Sequence, residues 1–123
     1  MTNNPILEKS FAFALRVVKL HRHLIDVHKE FTLSREVLVA GTHIGKHVKE
    51  AVSGESDENF VYQMGVAFRK AGETEYWLQL IEYAGYISDK EFASLDADRV
   101  ELCKMLSKII QTKKLHVSNT GNN

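Results

Sequence analysis

The residues of this 123-residue chain whose spacing most invites chemistry are its histidines. His43 and His47 are four apart, so on a helix both imidazoles share one face within reach of a single metal ion. His21 and His28, seven apart, also share a face, which makes a four-histidine metal or haem site between two helices geometrically conceivable. The Glu-x-x-His pattern of di-iron bundles occurs nowhere in the chain. Histidine is amphipathic and tolerates partial burial, so surface or interface positions account for the same four residues. No metal ligand and no cofactor is assigned.

The acids Glu73 and Glu75, two apart on a helix, cannot both face inward. Glu75 is expected to meet Arg35 or another cation between helices as a structural ion pair. The single cysteine, Cys103, reads as a buried small hydrophobe. There is no strand-to-helix nucleophile turn and no glycine-rich phosphate loop. Gly41, Gly45, Gly65 and Gly72 lie inside helices, where each costs up to about 1 kcal/mol relative to Ala. Close packing of a neighbouring helix is their expected reason. With no catalytic residue to assign, the chain is read as a non-enzyme.

Glycine and proline mark the elements that position these residues. Asn4 followed by Pro5, the only proline, predicts the start of a first helix. Its inner stripe is Phe13, Val17, Leu20, Leu24, Val27 and Phe31, in steps of three and four. Thr32 and Ser34 offer hydroxyl caps for a second helix carrying Val37, Gly41, Ile44, Val48 and Ala51, closed by Ser53 and Gly54. Ser56 caps a third, with Asp57 and Glu58 in its first turn and Phe60, Met64, Ala67, Ala71, Leu78 and Ile81 inward; Gly85 ends it. Ser88 and Glu91 have the spacing of a capping box, opening a fourth helix with Phe92, Leu95, Leu102, Leu106 and Ile109 inward. Ser94 to Asp98 could interrupt that helix, but a single helix is expected. Strand-like alternation is absent. The expectation is an all-α, antiparallel up-down-up-down four-helix bundle in one domain over residues 1–123, with its core over about 5–114 and a flexible tail over 115–123, fraying from His116.

Composition narrows the function classes. Hydrophobic residues make up 44% and charged residues 26% of the chain, and net charge is zero, which excludes disorder over most of the length and a polybasic-tail protein. One cysteine allows neither an intramolecular disulfide nor a cysteine-based zinc site. The start at Met1 lacks a signal-peptide pattern and no apolar run nears the roughly 18 residues of a membrane span, so a cytoplasmic protein without membrane contact is expected.

Charge is nevertheless uneven: residues 1–50 carry eight cations and five anions, residues 51–100 four and ten, residues 101–123 four and one. Arg16, Lys19, Arg22, Lys29, Lys46 and Lys49 are the candidate nucleic-acid contacts, with Lys113 and Lys114 able to join the same basic surface. Such cations would hold phosphates without reading bases. A solvated helix face is the plainer account of them.

Apolar residues exceed what one bundle core needs. The first helix carries a second stripe of Leu7, Phe11, Ala14, Val18 and Ile25, about 100° from the first. The third adds Trp77, Leu80 and Ala84, with Tyr62, Tyr76 and Tyr83 on further faces. Wide helix faces within a small bundle could absorb this surplus, but a homo-oligomer is the preferred expectation, because obligate interfaces resemble a core cut in half.

The run Gly41-Thr42-His43-Ile44-Gly45-Lys46-His47-Val48-Lys49-Glu50-Ala51 resembles the pattern G-T-S-I-G-A-N-I-x-E-A of four-helix bundle proteins related to those encoded in 23S ribosomal RNA intervening sequences. Gly54-Glu55-Ser56, then Asp57, Phe60, Met64 and Ala67, then Glu73-Thr74-Glu75-Tyr76-Trp77-Leu78-Gln79-Leu80, is similar to that family's third helix with its E-T-x-Y-W-L-x-L signature. The likeness runs from about Leu7 to Lys114. It implies an up-down bundle assembled as a homopentameric barrel, and no known enzyme activity. A related branch, the accessory proteins of diversity-generating retroelements, forms basic pentameric barrels that bind nucleic acid and a reverse transcriptase. His43, Lys46 and His47 stand where the pattern has Ser, Ala and Asn, either as an added positive, titratable patch or as drift on a tolerant face. The partners expected are therefore further copies of the chain, a pentamer by resemblance, and RNA or a nucleoprotein complex. The alternatives are a protein-interaction scaffold without nucleic-acid binding, with the acidic half of the third helix as contact face, and a histidine metal-binding bundle.

Overall fold

The Asn4 side chain accepts hydrogen bonds from the Ile6 and Leu7 amides at 3.2 and 3.4 Å, and Pro5 fills the first turn, so α1 runs Pro5–His28 as its N-cap chemistry dictates. The computed structural model describes residues 4–121 and contains three more helices, α2 (Leu33–Ser53), α3 (Asp57–Tyr83) and α4 (Asp89–Gly121). Connections of three to five residues force sequence neighbours to pack antiparallel. α2 and α3 meet most extensively, α1–α2 and α3–α4 follow, and a thinner α1–α4 seam closes the square. The protein is thus an all-α up-down four-helix bundle. No described helix is long and apolar enough to cross a membrane.

The caps explain where the reading of the sequence holds and where it moves. Ser56 Oγ accepts from the Asn59 amide at 3.0 Å. Ser88 and Glu91 form the reciprocal box, each side-chain oxygen 3.0 Å from the other's amide, and those bonds hold the Glu91 carboxyl below its usual range. Gly85, at φ +89°, supplies the left-handed turn beyond α3. α2 departs from expectation: Thr32 makes no side-chain cap. The Glu30 carboxylate instead accepts from the Thr32, Leu33 and Ser34 amides. α1 also stops earlier than its stripe suggests, because Lys29 takes the left-handed conformation at φ 55° and its amide and that of Glu30 close on Ile25 and Leu24. Val27 and Phe31 therefore lie exposed rather than in the core. α4 continues helical to Gly121, past His116, from which fraying is expected; Asn122 and Asn123, the rest of the expected tail, lie outside the described residues.

The core is one cluster built from the predicted stripes, including Phe13, Val17, Leu24, Ile44, Met64, Leu78, Leu102 and Leu106. Phe60, Phe92 and Ile109 border it half-buried. Two glycines let α1 approach α2. A Cβ on Gly41 would stand 2.7 Å from Val17 Cγ2, and one on Gly45 would touch the Ser10 carbonyl at 3.4 Å. Gly65 and Gly72 differ from expectation: only the flexible Arg69 guanidinium nears the first, and nothing lies within 4 Å of the second.

On α4 one position of the apolar stripe is an arginine. Arg99 is buried, and its Nε donates to Asp96 Oδ1 at 2.6 Å, its Nη2 to Glu75 Oε2 at 3.0 Å and its Nη1 to Cys103 Sγ at 3.5 Å. Burial alone would lower its pKa; Asp96 and Glu75 more than reverse that. The structural ion pair expected of Glu75 exists, but its cation is Arg99 of α4 and not Arg35.

Two stability outcomes follow. Gly41→Ala gains up to about 1 kcal/mol of helix propensity but must displace a buried valine, an overpacking cost of about 1–3 kcal/mol. Its urea midpoint should fall at constant m-value; a rise would show that α1 and α2 can part freely. Asp96→Ala, which removes the less exposed partner of Arg99 (21% against 43% for Glu75), should cost about 2–3 kcal/mol. Glu75→Ala should cost about 1 kcal/mol. Chemical denaturation of the two variants ranks them, and the reverse order would refute this account of the cluster.

Candidate functional site

The six candidate cations fall into three places. Arg16 reaches from α1 to α4, Nη1 donating to Asp98 Oδ2 at 2.7 Å and to the Ser94 carbonyl at 3.1 Å, Nη2 to Ser94 Oγ at 2.9 Å. It straps the thin seam. Lys19 lies beside it, lining a shallow cleft with His23, Lys90 and Glu91. Arg22 and Lys29 are exposed farther along α1, and Lys29 Nζ donates to the Asp26 carbonyl at 3.1 Å. Lys46 and Lys49 sit apart from these on α2, at the edge of a groove between α1 and α2. Neither forms an ion pair among the described residues. Lys113, by contrast, bridges to Asp57 at 2.9 Å and lies over the Phe60 ring.

That groove is the most apolar concave feature beside the cations. Leu7, Phe11 and Ala14 of α1 and Thr42 and Gly45 of α2 line it, Ser10 is buried at its base, and no acid takes part. Its floor is low because the residues there are small. Phe11 leaves half its surface in solvent, 50%, with Leu15 beside it at 49%. The outer side of α3 is the second such face, with Tyr62, Phe68, Tyr76 and Leu80 exposed. Sequence periodicity flagged both faces through their surplus apolar residues. It did not locate the groove, because Thr42 and Gly45 read as helix interior until α1 is laid beside them.

The histidines do not converge. His21 Nδ1 lies 3.0 Å from the Ser34 carbonyl, while the His28 ring meets His23 and Tyr86 edge-on at 5.1 and 5.2 Å. His43 and His47 turn toward α3: their rings are 6.1 Å apart, and His47 Nδ1 is 2.8 Å from Gln63 Oε1 and 3.5 Å from Glu50. Burial, with Lys46 and Lys70 nearby, lowers the His43 pKa and favours the neutral ring. Among the described residues no three His, Cys, Asp or Glu side chains are grouped to hold a metal ion. Cys103, half-buried, has its thiol pushed up chiefly by burial, which opposes the thiolate a nucleophile requires.

Comparison with known proteins places this architecture. The model of the family described as 23S rRNA-intervening sequence protein matches residues 2–108. The chain is also similar to a solved structure from Bacteroides thetaiotaomicron, described as a protein with unknown function from the S23 ribosomal protein family. Identity is 37%, the match covers 85% of this chain and 97% of that one, and the TM-score is 0.84. No curated protein matches the chain. A match over most of the length, on a bundle whose glycine contacts and α3 signature residues hold the positions just described, assigns the chain to the 23S rRNA-intervening sequence protein family.

Proposed function

We propose that the chain works without catalysis, as a self-associating helical module of the cytoplasm that contacts RNA or a nucleoprotein complex through phosphates. The observation that carries this reading is the exposure of large apolar side chains on two separate faces, around Phe11 on α1 and around Tyr76 on α3. α1 and α3 occupy diagonal corners of the bundle, so one neighbour cannot cover both faces of a copy. Burying them in further copies removes apolar surface from water. The family resemblance gives five as the number of copies. In such an assembly the exposed cations of α1 and α2 repeat around the particle, and modest charges per chain sum into a field that attracts phosphate backbones.

Light scattering should report a mass several times that of one chain at micromolar concentration; a monomer would overturn the self-association. Affinity for a structured RNA, measured from roughly 50 to 200 mM salt, should fall steeply as counterion release requires. Lys19 and Arg22 are exposed outside the groove, so Lys19→Glu with Arg22→Glu tests phosphate contact apart from assembly. The double variant should bind all RNA sequences more weakly alike, with a shallower salt slope. Unchanged affinity, or no binding at low salt, would leave a protein-interaction scaffold in place of the RNA contact.

A further inference from the structure

The three least buried members of the hydrophobic core lie in one place. Leu20, at 7% exposed, and Ile87 and Leu95, at 6% each, exceed every other core side chain, none of which passes 4%. All three line the cleft between α1 and α4. The cleft is shallow yet reaches the core, because the α1–α4 seam is the thinnest of the bundle's contacts. Its volume is about 500 Å³, within the roughly 300–1,000 Å³ of small-molecule sites. Leucine and isoleucine at the bottom of a shallow, open cleft offer a flat apolar body one face to lie on.

The rim is cationic. Arg16, Lys19 and His23 follow in steps of three and four along one side of α1, and Lys90 joins them from α4. The Arg16 fork is already taken by Asp98 and Ser94. Lys19 and Lys90 form no ion pair among the described residues. Lys90 is the second residue of α4, in the turn where the helix dipole disfavours a cation. Glu91 is the one acid on the lining. Its Oε1 accepts from the Ser88 amide at 3.0 Å, and the His23 and His28 rings lie close enough to favour its charge. Asp89 lies toward Glu82 of α3 instead. With Arg16 balanced by Asp98, two ammonium groups and an imidazole stand against one carboxylate that the helix cap already uses.

These donors suit phosphate. A carboxylate is matched by a guanidinium fork, and the only one here is occupied. Ammonium groups bind phosphate as point charges. Two of them from different helices, beside a ring nitrogen of His23, fit the near-double charge of a terminal phosphate better than the single charge of a phosphodiester. Ser94, the one hydroxyl on the lining, is held by Arg16, so nothing reads the edge of the body. We infer that the α1/α4 cleft binds a phosphate monoester carried on a flat apolar body, the body lying on Leu20, Ile87 and Leu95 and the phosphate meeting Lys19 and Lys90. A free nucleoside monophosphate and the 5′-phosphorylated end of an RNA share this chemistry. The cleft is complete within one chain and rests on neither the self-association nor the backbone contact proposed above, with which it shares only Lys19.

Adenosine monophosphate, adenosine and inorganic phosphate, titrated separately into isotope-labelled protein, test the two halves of the site. With the nucleotide, amide shifts should gather at Lys19, Ile87 and Leu95. Adenosine and inorganic phosphate should each bind about tenfold or more weakly, the loss expected when a hydrogen bond to a charged group or the apolar contact is missing. Lys90 is exposed, so Lys90→Gln should keep wild-type helix content by circular dichroism while weakening the nucleotide by a similar factor. Lys46→Gln, at the separate α1/α2 groove, should leave nucleotide affinity unchanged. Equal losses from the two lysine variants, inorganic phosphate bound as tightly as the nucleotide, or no shifts at the cleft would each overturn the inference. A short RNA with and without its 5′ phosphate distinguishes the sources. A preference for the phosphorylated form that Lys90→Gln abolishes assigns the cleft to RNA ends; no preference, with adenosine monophosphate still bound, assigns it to free nucleotides. RNA binding that ignores both the 5′ phosphate and Lys90→Gln, with no nucleotide bound, overturns the cleft and leaves the backbone contact standing.

Discussion

Because Gly41 has no Cβ, the isopropyl group of Val17 rests on the α2 backbone, and one turn later the Ser10 carbonyl lies against Gly45 in the same manner. The two helices are thereby brought closer than side chains of ordinary size would allow. Ser10 is enclosed and turns its hydroxyl back to the Leu7 carbonyl at 3.2 Å. The apolar residues of α1 that miss the core, Leu7, Phe11 and Ala14, then border a groove instead of a flat surface. What makes the hydrophobic interior tight on one side of this helix pair makes a concave, lysine-edged surface on the other.

α4 is held by different means. Its stripe of leucines joins the common core, and among the polar ties around it are two arginines, Arg99 bonding to α3 and Arg16 arriving from α1, beside the lysine pairs Lys113–Asp57 and Lys9–Glu101. Arg99 is the more consequential, since a buried guanidinium is tolerated only where its donors are met, and here two carboxylates and a thiol meet them. Arg16 works at the edge, where solvent weakens ion pairs. The α3–α4 contact is thus both broader and better buried in its polar partners than the α1–α4 contact.

Local chemistry was legible in the sequence wherever a cap is made within its own helix. Asn4, Ser56 and the Ser88–Glu91 box could be read directly, as could the stripes of Val17, Ile44, Met64 and Leu102. Glu30 could not, because it caps α2 from the connection before it and looks like one more charge near the end of α1. Val27 and Phe31 continued the period past Lys29, and nothing in their types shows that a lysine would take a left-handed turn. Arg99 was hidden by its own charge, since a pattern search passes over an arginine in a leucine stripe and its partners come from 24 residues away and from its own turn. The candidate site was legible in part. Surplus apolar residues announced two faces, but the groove and the dispersal of the cations among three places depend on which helix lies beside which.

The order of packing around the square has a kinetic meaning. α1 docks on α2, α2 on α3 and α3 on α4, each step joining segments that follow one another along the chain, so loop closure is inexpensive and helical hairpins can accumulate as the chain leaves the ribosome. Only the α1–α4 contact joins distant segments, and there Arg16–Asp98 and Lys9–Glu101 clasp the opening through side chains largely open to water. That contact should close last in folding and part first in the native state, with amide exchange along α4 as its direct readout. The bundle therefore behaves as a row of packed hairpins whose two outer helices are clasped at one edge, and the clasp, made of charges, is the part that ionic strength can loosen.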